Sequence, residues 1–141
     1  MSSAMTTTSK KRSSKETHLP ENFRHIRLEL AREPSNPDGR ADYGYLLWVP
    51  LNTQGKIDEA YWKDYRDYYR VLKFRPGQPS EIGHVIHSVS GWKLHYDIAG
   101  KDPDETGFHL EDERFVPGEY ISIRDSDKNT HVYKVSTVER Y

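Results

Sequence analysis

The sequence predicts a mainly β fold: about seven antiparallel strands forming a small barrel or sandwich, with one helix inserted near residues 57–66. Three observations lead there. Apolar residues recur with period two in run after run, the mark of half-buried strands. Pro and Gly clusters or polar turns separate these runs at the spacing of all-β domains. One stretch alone changes to a helical period.

HIRLELA opens the series, with Ile26, Leu28 and Leu30 alternating with His25, Arg27 and Glu29, so that one face is apolar and the other polar. Pro34, Pro37 and Gly39 then break the chain. In YGYLLWVPL, Tyr45, Leu47 and Val49 form one apolar face and Leu46 and Trp48 a second, as in a central strand covered on both sides. IDEAYWKDYR places Ile57, Tyr61 and Tyr65 at i, i+4 and i+8, with acids first and Lys63 and Arg66 towards the end, matching the helix dipole. YYRVLKF, EIGHVIH, WKLHYDI, EYISIRD and HVYKVSTV read as further short strands. Alternation with Ser122 and Arg124 directs Ile121 and Ile123 to the core. DSDKNT, residues 125–130, reads as the turn between the last two strands.

A length of 141 residues suits one domain. Apolar content of 34% is low, but 17 aromatics (3 Trp, 10 Tyr, 4 Phe) supply a core. Residues 1–20 are expected to be a disordered, basic Ser/Thr-rich tail, and residues 21–141 a single β-rich domain. Lys10, Lys11, Arg12 and Lys15 against Glu16 give the tail +3, which leaves −4 for the body from an overall −1. The absence of cysteine excludes disulfides, thiolate zinc sites and a Cys nucleophile. No run approaches a membrane span, and no apolar signal segment is visible, so a cytoplasmic protein without a membrane partner is expected. There is no phosphate loop, serine elbow or HExxH, and no cofactor is indicated.

The densest set of chemically capable side chains is GHVIHSVSGWKLHYD, residues 83–97. His84 and His87 lie three apart and must face opposite ways on a regular strand. A three-residue loop at Val89–Gly91 pairs Ile86 with Leu94 and Ile82 with Ile98, which buries Ile82 and Ile86 together with His84. That register gathers His87, His95 and Asp97 on the polar face as the candidate binding residues. Such a trio suits a divalent metal with an open position, or a His95 base oriented by Asp97. The same residues also read as polar decoration of a wet sheet face, with Lys93 among them. DPDETGFHLEDE, residues 102–113, has the acid spacing and Gly107 of a calcium-binding loop, but its flanks read as strand and breaker rather than helices. YWKDYRDYYRVLKFR, residues 61–75, interleaves rings with Lys63, Arg66, Arg70, Lys73 and Arg75, the pairing used on single-stranded nucleic acid, although Asp64 and Asp67 dilute it.

HIRLELAR, IDEAYWKDYR, GHVIHSVSGWKLHYD and FVPGEYISIRD with THVYKV together resemble a family of small bacterial proteins, mostly alphaproteobacterial, across nearly everything after residue 23. The resemblance implies a bacterial cytoplasmic domain and carries no assigned activity. The expectation is therefore a binding or accessory protein whose partner is an unidentified protein or small molecule. The alternatives are a metal-assisted enzyme using His87, His95 and Asp97, and a single-stranded nucleic-acid binder using residues 61–75 and the basic tail.

Overall fold

The computed structural model describes residues 19–97, 105–107, 110–125 and 128–141; the tail expected for residues 1–20 lies outside them through residue 18. The strands are β1 (Phe23–Leu30), β2 (Arg40–Pro50), β3 (Arg70–Phe74), β4 (Glu81–Ser88), β5 (Gly91–Tyr96), β6 (Glu105–Gly107), β7 (Tyr120–Arg124) and β8 (Thr130–Arg140). Each pairs antiparallel with the next in sequence, and β8 returns to β1, closing a barrel. The seven runs expected from periodicity are all present. The eighth strand, β6, is three residues long, too short to show an alternation.

Helix α1 (Trp62–Tyr65) continues into a 3-10 turn at Arg66–Tyr68. It is shorter and later than the 57–66 pattern because Ile57 is drawn into the core through a bridge to Leu51. Asp58 then breaks the run: its backbone N–H donates to Pro50 O and its carboxylate accepts from the Ala60 N–H.

Inward rows form the core: Ile26, Leu28 and Leu30 of β1, Tyr45, Leu47 and Val49 of β2, Val71 of β3, Trp92 and Leu94 of β5, Ile121 and Ile123 of β7, and Tyr133 and Val135 of β8 are all buried. Outward positions of β1, β5 and β8 such as Arg27, Glu29, Lys93 and Lys134 are polar. No described helix is long and apolar enough to cross a membrane. Two glycines permit the closure. A Cβ on Gly44 would lie 1.9 Å from Leu28 O and one on Gly83 2.1 Å from His95 O, so neighbouring backbones crowd these strands where they bend.

Two expectations fail in informative ways. The outer face of β2 has no layer over it among the described residues, and Leu46 and Trp48 stay half-buried. The β4–β5 hairpin closes through a two-residue turn, Val89–Ser90, with Ser88 opposite Gly91 and Val85 opposite Leu94. Gly83 and Val85 thus face the interior, and Ile82 and Ile86 stand outside, Ile82 being 48% exposed. Volume explains the inversion. Tyr69 stacks on Trp92 at 5.7 Å against this stretch of β4, and Tyr96 and Leu94 occupy the β5 side, leaving room for Gly and Val but not for two isoleucines.

Candidate functional site

The register decides the fate of the three candidate residues. His95 and Asp97 do share the outer face, but His84 joins them there, directly opposite His95, with its Nδ1 2.9 Å from Asp97 Oδ1. His87 points inward at the far end of β4, its ring 4.6 Å from Trp92 and its Nε2 3.0 Å from Glu59 Oε1. The expected trio of His87, His95 and Asp97 is therefore split between the two faces of the sheet, and a two-residue turn is the reason. Among the described residues no three His, Cys, Asp or Glu side chains form a group able to hold a metal ion. His84 and His95 instead border an open groove of about 270 Å³ with Trp62, Arg66 and Ile86.

Residues 61–75 do not present one surface either. Tyr69 is buried with its hydroxyl on Asp58 O, Lys73 points into the barrel, and Arg75 lies over the Tyr43 ring. Tyr61, Lys63 and Arg66 of the earlier part are exposed, and Arg70 stands apart from them on the outer face of β3. Within the calcium-loop spacing, Glu105 begins β6 and Leu110 is buried in a 3-10 turn, so the described residues of that stretch are sheet and core rather than a loop between helices. Residues 102–104, 108 and 109 lie outside the described set. Of the turn expected at residues 125–130, residues 126 and 127 lie outside the described set; Asp125 accepts from the Asn129 N–H, and the flanking strands β7 and β8 pair with each other.

The site that pattern reading misses is inside the barrel. The inward rows of β2 (Tyr43, Tyr45, Leu47, Val49), β3 (Val71, Lys73) and β5 (Trp92, Leu94, Tyr96) each turn from apolar to polar towards one end. That end carries the segments 31–39 and 75–80 together with Asp125. There Glu105, 0% exposed, is the one charged side chain among the fully buried described residues. Its Oε1 accepts hydrogen bonds from Tyr45 OH at 3.0 Å and Tyr96 OH at 2.8 Å, and its Oε2 accepts from Lys73 Nζ. Lys73 in turn lies over the Tyr96 ring.

Arg75 extends the cluster. Its guanidinium sits 3.8 Å above the Tyr43 ring, donates to Gly44 O and Phe74 O, and donates to Tyr45 OH at 3.2 Å. Burial opposes its charge, yet the neighbouring Tyr45 and Tyr133 hold its pKa above the usual guanidinium value. Burial also holds the phenols of Tyr45, Tyr96 and Tyr133 well above the ordinary tyrosine range. Tyr133 packs edge-on against Tyr45 at 5.0 Å, and its buried hydroxyl makes no hydrogen bond. Glu81 faces Lys73 across the β3–β4 ladder, so the mouth carries both signs of charge. The signal was available in outline: Lys73 stands in phase with Val71, and Tyr43 and Tyr45 stand in phase with Leu47 and Val49.

At the rim, His131 joins two loops, with its Nδ1 3.0 Å from Glu33 Oε1 and its Nε2 4.0 Å from Asp125 Oδ2. Comparison of the chain with protein-family models, curated proteins and solved structures found no match.

Proposed function

We propose that the chain is a binding protein that holds a small polar molecule at the polar end of its barrel, in the bacterial cytoplasmic setting its family resemblance implies. One observation carries the reading: the complete burial of Glu105 with Lys73, Tyr45 and Tyr96 around it. An eight-stranded barrel is just wide enough to be filled by side chains or to hold one small ligand. Apolar residues fill such a space at lower cost, because taking charges out of water costs several kcal/mol per ion, and replacing buried ion pairs by packed apolar groups is often stabilising. Ionisable groups displaced from their ordinary behaviour concentrate at functional sites.

The chemistry favours a ligand oxygen as the point of attachment. Arg75 is held flat against Tyr43, and the Tyr133 hydroxyl beside it lacks an acceptor. A buried donor without an acceptor costs about 1–3 kcal/mol, which a carboxylate or carbonyl oxygen would recover. Glu105 is committed to three donors, an arrangement suited to fixing geometry rather than shuttling protons, so binding is favoured over catalysis. Thermal-shift measurements with small carboxylates and neutral polar analogues test this on the wild type, Arg75→Ala and Tyr133→Phe. A ligand at one hundred times its Kd stabilises by about 2.7 kcal/mol. Compounds whose affinity falls about tenfold or more in both variants, about 1.4 kcal/mol, support the proposal. Compounds that stabilise all three proteins equally, or no stabilising compound at all, count against it.

A further inference from the structure

We infer that the outer face of β2, β3 and β4 is a two-fold interface with a second copy of this chain. Leu46 pairs across the sheet with Leu72, and Leu72 with Ile82, so three apolar side chains form one row over three adjacent strands. Trp48 lies beside the row with His25 stacked on it at 4.9 Å. Trp48, Leu72, Ile82, Arg70 and Tyr141 enclose a groove of about 400 Å³. The sequence of β2 is that of a strand covered on both sides, and no described part of the chain supplies the outer cover.

The occupant follows from the closed ring and from charge. With β8 paired to β1 the barrel has no free edge, so strand addition is closed to it and association must use a face. A two-fold interface joins one patch to itself and so has to contain its own electrostatic complement. This patch does. Arg70 stands opposite Trp48 on one side and His84 on the other, and Asp67, three residues earlier, borders the adjoining groove with Ile86. Both are exposed, and neither side chain makes an ion pair or hydrogen bond among the described residues. A two-fold axis in the contact plane, parallel to the strands and passing between Leu72 and Ile82, exchanges β3 of one copy with β4 of the other, and so lays Arg70 of each copy over the His84 side that Asp67 borders in the other, beside an apolar centre. An acidic partner protein would satisfy Arg70 but leave Asp67 facing like charge.

Sedimentation equilibrium of the full chain over a wide concentration range tests the assignment, with far-UV circular dichroism as the folding control. The expected result is a reversible monomer–dimer equilibrium. Ile82→Glu, at a half-exposed site, should weaken it at least about tenfold, about 1.4 kcal/mol. Arg70→Asp and Asp67→Arg should each weaken it, and the double exchange should recover most of the loss. A chain that stays monomeric throughout overturns the inference. So does a dimer indifferent to Ile82→Glu, or a double exchange no tighter than the singles.

Discussion

Lys73 and Glu105 should prove strongly coupled. Lys73→Met leaves a carboxylate that is fully buried with two hydroxyls but no cation, and Glu105→Gln leaves an ammonium whose side chain is 12% exposed without an anion. Stranding one member of a buried pair costs about 3–5 kcal/mol, so each single variant should lose that much, a large share of the total for a small domain. Gln at 105 keeps an amide oxygen for Tyr45 and Tyr96, so the double variant loses the charges while the phenol hydrogen bonds survive. It should therefore be more stable than either single variant, with a coupling of at least about 3 kcal/mol, the upper end of the usual range for residues in contact or beyond it. Urea unfolding of the four proteins, with m-values compared to verify two-state behaviour, gives the cycle directly. Additive single effects, with coupling below about 0.5 kcal/mol, would refute the view that the barrel encloses an ion pair.

Four further outcomes follow. Tyr45, Tyr69, Tyr96 and Tyr133 are all raised above the ordinary tyrosine value, first of all by burial. Their protonated state is a property of the folded barrel, so stability should be complete below about pH 10 and fall above it, by about 1.4 kcal/mol per pH unit for each phenol that only the unfolded chain can ionise. Ultraviolet titration should leave these four of the ten tyrosines silent until unfolding; their ionisation in the folded protein would contradict the burial. Ile121→Ala and Ile123→Ala, both at core positions, should each cost about 2–5 kcal/mol in urea, whereas near-neutral effects would place β7 the other way round. Gly83→Ala, which pushes a Cβ to 2.1 Å from His95 O, should cost about 3 kcal/mol or more, and a silent substitution would mean the strands are further apart. Glu33 is held below the usual carboxylate range, first by its hydrogen bond to His131 and against the effect of burial. Its contribution is present above the ordinary carboxylate range and lost as pH falls through the folded value. Glu33→Gln should therefore flatten the stability profile below about pH 4.5, and an unchanged profile would dismiss the His131 contact.

How far the fold could be read from sequence differs by element for physical reasons. β1 and β7 were legible because one face of each is buried and the other wet, so Ile26, Leu28, Ile121 and Ile123 mark their own side. β4 was misread because its pattern is inverted: Ile82 and Ile86 are its most apolar residues, yet Gly83 and Val85 fit the space left by Tyr69 and Trp92. Side-chain volume across the barrel, which no local alternation encodes, set that register, and with it the separation of His87 from His95 and Asp97. The buried cluster was hidden for a related reason. Its members come from β2, β3, β5, β6 and β8, and the contact between Tyr45 and Glu105 spans 60 positions. The partial signal was a polar residue in phase with an apolar row, as with Lys73 after Val71.

Ligand binding inside the barrel is tested most directly by a crystal structure of the chain with the compound that stabilises it most in the thermal-shift series. That compound's oxygen should lie within hydrogen-bond distance of Arg75 and the Tyr133 hydroxyl, inside the barrel and next to the Tyr45–Glu105–Tyr96 network. The compound bound in the groove beside Trp48 or the one beside His84, with Tyr133 still without a partner, would contradict it.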